Sequence, residues 1–243
     1  MIYDICTHNY SAFQIFEKNK LKPRAYFILF QDRKSSETVS LCDERYKSNL
    51  VKVLNGKWDF KYYPKFSDMP KRFDTSIVDF DEVNVPSMWQ YTGYEKPYYI
   101  NQNYPFGRKP PKIPTDDPVG LYKTIRNGKW TPLTVDNIYN SVGVYRKKIE
   151  VSDIEKTFII SFLGCSSCLE LYVNGSFHGY SEGSYNIAEF NITDKLGKGE
   201  NEIVVVVHKW CNGTYLEAQD MFRSNGIFRD VLLFVYEIGR AHV

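Results

Sequence analysis

Apolar residues along this chain fall in short runs, not at helical spacing. Cys168–Val173 alternates, with Leu169, Leu171 and Val173 on one face and Glu170 and Tyr172 on the other. Asn174-Gly175 then turns the chain into Ser176–Tyr180, and Asn-Gly pairs recur at Asn55, Asn127, Asn212 and Asn225; this pair is the strongest short hairpin signal. Ile203–Val207 is a continuous apolar run after Gly199-Glu200-Asn201, which predicts a strand buried on both faces. Val144–Val151 and Ile227–Tyr236 predict two more strands. Between Pro86 and Pro132, Pro105, Pro110, Pro111, Pro114 and Pro118 predict an extended, ordered loop without regular elements. No helical pattern of comparable length interrupts this. Many short strands without long helices predict an all-β fold, an antiparallel β-sandwich.

Residues 1–49 differ from the rest. A weakly periodic stretch (Phe13, Ile15, Phe16, Leu21) leads into a charged, Ser-rich run from Gln31 to Ser48. This predicts an irregular N-terminal arm laid over a neighbouring surface, ahead of a domain spanning 50–236. Pro118–Lys123 is echoed by Ser141–Arg146, too short for a repeat architecture. It reads as an insertion at about 120–143, with Val144–Val151 the true strand.

Composition narrows the function. Lys and Arg number 31 against 29 Asp and Glu, a net charge of +2, so charge points to neither a nucleic acid nor a membrane surface as partner. Aromatic residues make up 16% of the 243, which favours strands and ring-lined binding surfaces. Met1–Lys20 holds no apolar stretch of signal-peptide length, and the five irregularly spaced cysteines read as reduced thiols. The expected location is the cytoplasm.

Cys165-Ser-Ser-Cys168 has the spacing of half a zinc or redox site, yet there is no second pair and no nearby His at ligand spacing; these read as core cysteines. His8, His178, His208 and His242 form no recognisable catalytic order. The segments Val85–Phe106 and Lys209–Asp230 are dense in rings and planar polar groups. Sugars are bound by such sets, with aromatic faces against C–H surfaces and amides or carboxylates on hydroxyls. The same residues suit a domain interface.

A further pattern runs in order along residues 20–236. It comprises Leu54-Asn-Gly-Lys-Trp-Asp-Phe60, Val85-Pro-Ser-Met-Trp-Gln90, Gly93-Tyr94, Tyr99-Ile-Asn-Gln-Asn-Tyr-Pro105 and Pro110-Pro-Lys-Ile-Pro-Thr-Asp-Asp-Pro118. It continues in Tyr172-Val-Asn-Gly175, Gly179-Tyr180 and Gly199-Glu-Asn201, and ends in Tyr215-Leu-Glu-Ala-Gln-Asp-Met-Phe-Arg-Ser-Asn-Gly-Ile-Phe-Arg-Asp-Val231. In these motifs the chain resembles the N-terminal part of the β-galactosidases of glycoside hydrolase family 2. Members with glucuronidase or mannosidase activity do not as a rule share the Leu-Glu-x-Gln-Asp-Met run. The stretch at about 120–143 is the main departure.

The resemblance implies a jelly-roll sandwich, galactose-binding-domain-like, that binds sugar and sends loops into the active site of a downstream (β/α)8 barrel. By motif position it implies that Asn101 and Asp220 contribute to the galactosyl subsite and that Asp220 also helps hold a sodium ion. An amide donates and accepts, and a carboxylate accepts from hydroxyls while offering oxygen to a hard cation. Gly213 and Gly226 are expected to let the backbone turn sharply there. The family acts on terminal β-galactosides such as lactose, uses Mg2+ and Na+, and forms homo-oligomers at full length.

The resembled family places both catalytic glutamates, and the magnesium ligands, on the barrel. A retaining glycosidase needs two carboxyl groups ~5 Å apart, and a barrel takes about 250 residues. The expectation is therefore a chain truncated before the barrel and inactive alone; the alternative is a stand-alone carbohydrate-binding module. Glu237-Ile-Gly-Arg-Ala-His-Val243 breaks the family pattern and resembles the translated read-through of a short-read sequencing adapter, so residues from Ile238 onward are expected to be non-biological.

Overall fold

A computed structural model of the chain describes residues 1–5, 8–40, 42–96, 98–99, 113, 122–126, 129–133, 140–217 and 220–237, with 98–99, 122–126 and 129–133 described by their backbone alone. The terminal stretch 238–243, with its adapter-like sequence, lies outside the described residues.

Eleven strands build two sheets: β1 (Glu17–Lys18), β2 (Val51–Val53), β3 (Gly56–Tyr63), β4 (Asp81–Val85), β5 (Val142–Val151), β6 (Lys156–Phe162), β7 (Cys168–Val173), β8 (Ser176–Glu182), β9 (Ala188–Asn191), β10 (Gly199–His208) and β11 (Val231–Glu237). The larger sheet runs β1-β8-β7-β10-β5-β3-β4 and the smaller β9-β6-β11-β2. Every pairing in both is antiparallel. The fold is the expected all-β sandwich. The α-helix among the described residues is Arg33–Glu37, capped by Asp32, whose carboxylate accepts from the Ser35 N–H over 2.8 Å.

Strand periodicity sorts the side chains into layers. Ile203, Val205 and Val207 of β10 join Leu169, Leu171 and Val173 of β7, with Trp58, Phe60, Phe158, Phe162, Phe190 and Leu233, in the core between the sheets. Val204 and Val206 point the other way, into a second cluster with Tyr3, Ile5, Phe73, Val142, Val144 and Tyr172. A ribbon of Ile2–Asp4 paired with Arg72–Asp74 contributes Tyr3 and Phe73 to this outer cluster. Two covered faces explain why β10 is apolar without alternation. The faces of β7 fall as its alternation predicts, but its polar face is not solvated. Glu170 and Tyr172 are both fully buried, and the Tyr172 hydroxyl donates to Glu170 over 2.9 Å. On the smaller sheet, Leu232, Phe234 and Tyr236 face away from the main core, against Ile28, Leu29, Tyr46 and Leu50 of the N-terminal segment.

At the β7–β8 turn Asn174 and Gly175 have φ of 47° and 86°, the pair of positive values that a two-residue hairpin turn requires. The proline-rich region departs from expectation. Tyr122–Arg126 and Lys129–Leu133 form an antiparallel hairpin, with Ile125 opposite Trp130 and Pro132 opposite Lys123. A two-stranded ribbon has an outer edge on each strand, where a residue lacking an N–H breaks no ladder. The Asn127-Gly128 pair between the strands was the signal for it. Among the described residues no helix is long and apolar enough to cross a membrane.

Candidate functional site

The segment after β4 is sewn to the segment before β11. The Ser87 N–H donates to the Ile227 carbonyl over 2.8 Å and the Trp89 N–H to the Asn225 carbonyl over 2.9 Å. Gln90 accepts from the Asn225 N–H over 2.9 Å, and the Asn225 side chain donates to the Lys209 carbonyl over 3.1 Å. Trp89 is buried, its indole N–H donating to the Tyr145 hydroxyl over 2.8 Å. Gly226 has φ of +125°, and a Cβ there would lie 2.8 Å from the Ser87 carbonyl oxygen and 3.0 Å from the Tyr145 hydroxyl. This seam admits only glycine.

Lys209–Glu217 is held with equal care. Asn140 accepts from the Trp210 N–H over 2.9 Å and donates to the Trp210 carbonyl over 3.2 Å. A 3-10 turn, Asn212–Tyr215, follows. There the buried Glu182 carboxylate accepts from the Gly213 N–H at 2.8 Å, the Asn212 amide at 3.0 Å and the Tyr180 hydroxyl at 2.7 Å. Burial pushes the Glu182 carboxyl above the ordinary range despite these donors. Gly213 lies within this turn as expected but without a positive φ, so the turn does not draw on glycine's left-handed freedom; its N–H serves as a donor to Glu182. Glu217 accepts from the Ser184 N–H and hydroxyl over 2.7 and 2.6 Å.

Beyond Glu217 the chain emerges at Asp220, which is exposed. It then pairs with the other ring-dense segment: Phe222 stands opposite Tyr99 and Arg223 opposite Tyr98 in an antiparallel ribbon. The fold therefore brings the two segments singled out in the sequence to one place. Asp220 precedes Phe222 by two residues, and Asn101 follows Tyr99 by two; Asn101 itself lies outside the described residues. Asp220 offers one oxygen ligand of the kind sodium takes. Among the described residues no group of three or more His, Cys, Asp or Glu side chains could hold a metal ion.

Glu95 and Lys209, one in each ring-dense segment, form a buried ion pair that no motif marks. The one hint in the sequence is that Lys209 follows the apolar run Ile203–Val207 with only His208 between. Cys165, Cys168 and Cys211 are buried free thiols, and burial pushes those of Cys165 and Cys168 upward. They behave as core residues, as the spacing argument holds. His208 is fully buried, stacked on Tyr10 at 4.5 Å and 3.8 Å from Glu170.

The fold and its paired loops define the class: an antiparallel β-sandwich that brings two ring-rich segments and an exposed carboxylate to one place. The chain belongs to the family described as "Glycosyl hydrolases family 2, sugar binding domain", matched over residues 51–130 and 130–236. It is 37% identical over 219 residues to a β-galactosidase of Actinobacillus pleuropneumoniae, covering 90% of this chain and 19% of that one. A β-galactosidase of Vibrio vulnificus (strain CMCP6) is 39% identical over 183 residues, 74% of this chain and 16% of the relative. One from Priestia megaterium is 34% identical over 238 residues, 95% and 20% of the respective chains. The chain thus spans about a fifth or less of the length of these relatives. A β-glucuronidase structure from Bacteroides uniformis shares the fold over 76% of this chain and 18% of its own, at a TM-score of 0.50 and 20% identity.

Proposed function

We propose that this chain is the sugar-binding part of a β-galactosidase, supplying one edge of the galactosyl subsite and no catalytic carboxylate. The observation that carries the reading is the Tyr98–Tyr99/Phe222–Arg223 ribbon, which unites the segments bearing Asn101 and Asp220. The Asn101 amide donates to and accepts from a sugar hydroxyl; the Asp220 carboxylate accepts from hydroxyls and lends an oxygen to a sodium ion. The buried carboxylates nearby are committed elsewhere: Glu95 to Tyr62, Gln90, Ser141 and Lys209, and Glu182 to Tyr180, Asn212 and Gly213. Saturated acceptors make poor acids and nucleophiles. The acid and nucleophile for hydrolysis of terminal β-galactosides such as lactose, and the ligands for Mg2+, belong to the barrel of the larger protein, which is the partner of this domain; the full-length protein forms a homo-oligomer. The free thiols Cys42, Cys165, Cys168 and Cys211 suit a reducing cytoplasm.

A chromogenic galactoside incubated with the purified chain tests this reading: no turnover above blank is expected, and turnover would overturn it. Titration calorimetry with galactose addresses the other class of function. Weak binding is expected of half a subsite, and specific binding tighter than millimolar would make the chain a stand-alone carbohydrate-binding module.

A further inference from the structure

Donors from four separate segments converge on the Glu95 carboxylate. The Tyr62 hydroxyl of β3 donates to Oε1 over 2.6 Å, and the Ser141 hydroxyl, just before β5, donates to the same oxygen. The Gln90 amide donates to Oε2 over 2.9 Å, and the Lys209 ammonium, just after β10, pairs with that oxygen. The side chains of Glu95 and Lys209 are 10% and 5% exposed. Burial pulls the Lys209 ammonium below its ordinary range against the upward pull of Glu95. A buried ion pair is seldom the most stable way to fill such a space, because desolvation offsets its attraction.

Its place in the fold gives the pair another use. Glu95 lies three residues before Tyr98, where the ribbon begins. The Lys209 carbonyl holds the Asn225 side chain, and Gln90 touches both Glu95 and the Asn225 N–H. One carboxylate thus links β3, the start of β5, the end of β10 and both loop segments. A charge with four directed donors has one satisfied arrangement, whereas an apolar contact tolerates sliding. We infer that Glu95, together with Lys209, is a positioning residue that fixes the register of the Tyr98–Tyr99/Phe222–Arg223 ribbon and so the spacing of the groups that grip the sugar. The last step rests on the sugar-site reading above.

Amide hydrogen exchange on the 243-residue chain, read at residues 98–99 and 222–223 beside β10, tests it. Glu95→Gln is expected to speed exchange in the ribbon by about ten-fold or more and leave β10 unchanged. Lys209→Met should do the same, and Lys209→Arg, which keeps the charge, should stay near wild type. Unchanged ribbon exchange, or an equal acceleration in β10, overturns the inference. If Glu95→Gln does not fold, Tyr62→Phe, which removes one donor, decides: acceleration confined to the ribbon supports the inference, and none or a uniform one overturns it. Saturation transfer to galactose on the same samples separates the two readings. A ribbon that responds to Glu95 in a protein that never contacts sugar defeats the sugar site alone; sugar contact with an unresponsive ribbon defeats the positioning role alone.

Discussion

Asp230 shows how one side chain joins the N-terminal segment to the domain. It accepts from the Arg45 guanidinium over 3.0 Å, the Asn55 amide over 2.8 Å and the Tyr46 hydroxyl. Burial alone would raise its carboxyl, but the hydrogen bonds from Tyr46, Asn55 and Arg45 outweigh it and hold the group below its ordinary value of 3.8. A depressed carboxyl contributes stability that is complete above the unfolded value and lost as pH falls through the folded one. Limited proteolysis within residues 31–48 should therefore stay slow at neutral pH and accelerate only below about pH 4. In Asp230→Asn it should already be fast at pH 7, for a loss of about 1–3 kcal/mol; equal cleavage of both proteins at pH 7 would remove Asp230 from this role. At this scale the sequence was partly legible. Asn174-Gly175 declared its turn because only certain residues accept positive φ. Glu95 and Lys209 did not, because a charge looks the same in a sequence whether solvated or buried, and only folding brings residues 62, 90, 95, 141 and 209 together.

Among elements, β10 was legible and the proline-rich hairpin was not. A run of five apolar residues demands cover on both faces, and the core and the outer cluster supply it. Val204→Thr and Val205→Thr should both lower the urea midpoint, each through a loss of about 1–3 kcal/mol of stability, since each puts a hydroxyl into an apolar layer. If one of the two were silent, its face would not be covered as described. The strand at Lys129–Leu133 is hidden because Pro105, Pro110, Pro111, Pro114 and Pro118 read as breakers for the whole span up to Pro132, whereas Pro132 itself is tolerated at a strand edge. The polar face of β7 misled in the opposite sense: alternation marks two faces, but not that a ribbon from residues 2–4 and 72–74 seals the second.

At the scale of the whole molecule, the two ring-dense segments carry Tyr91, Leu216 and Phe222, which are 78%, 83% and 60% exposed. A contiguous exposed apolar patch marks a surface that meets something else. The ring-rich loops at 86–106 and 210–228 should bind a hydrophobic dye and promote self-association of the isolated chain; a monomer that binds none would mean these loops close on themselves. The central claim is that this chain grips a galactoside through Asp220 and leaves its glycosidic bond intact. Saturation-transfer NMR with methyl β-galactoside, run on the wild type and on Asp220→Ala, tests both halves at once. The account predicts transfer in the wild type, its loss in the variant and an unhydrolysed sugar throughout; equal transfer in both proteins, or the appearance of free galactose, would contradict it.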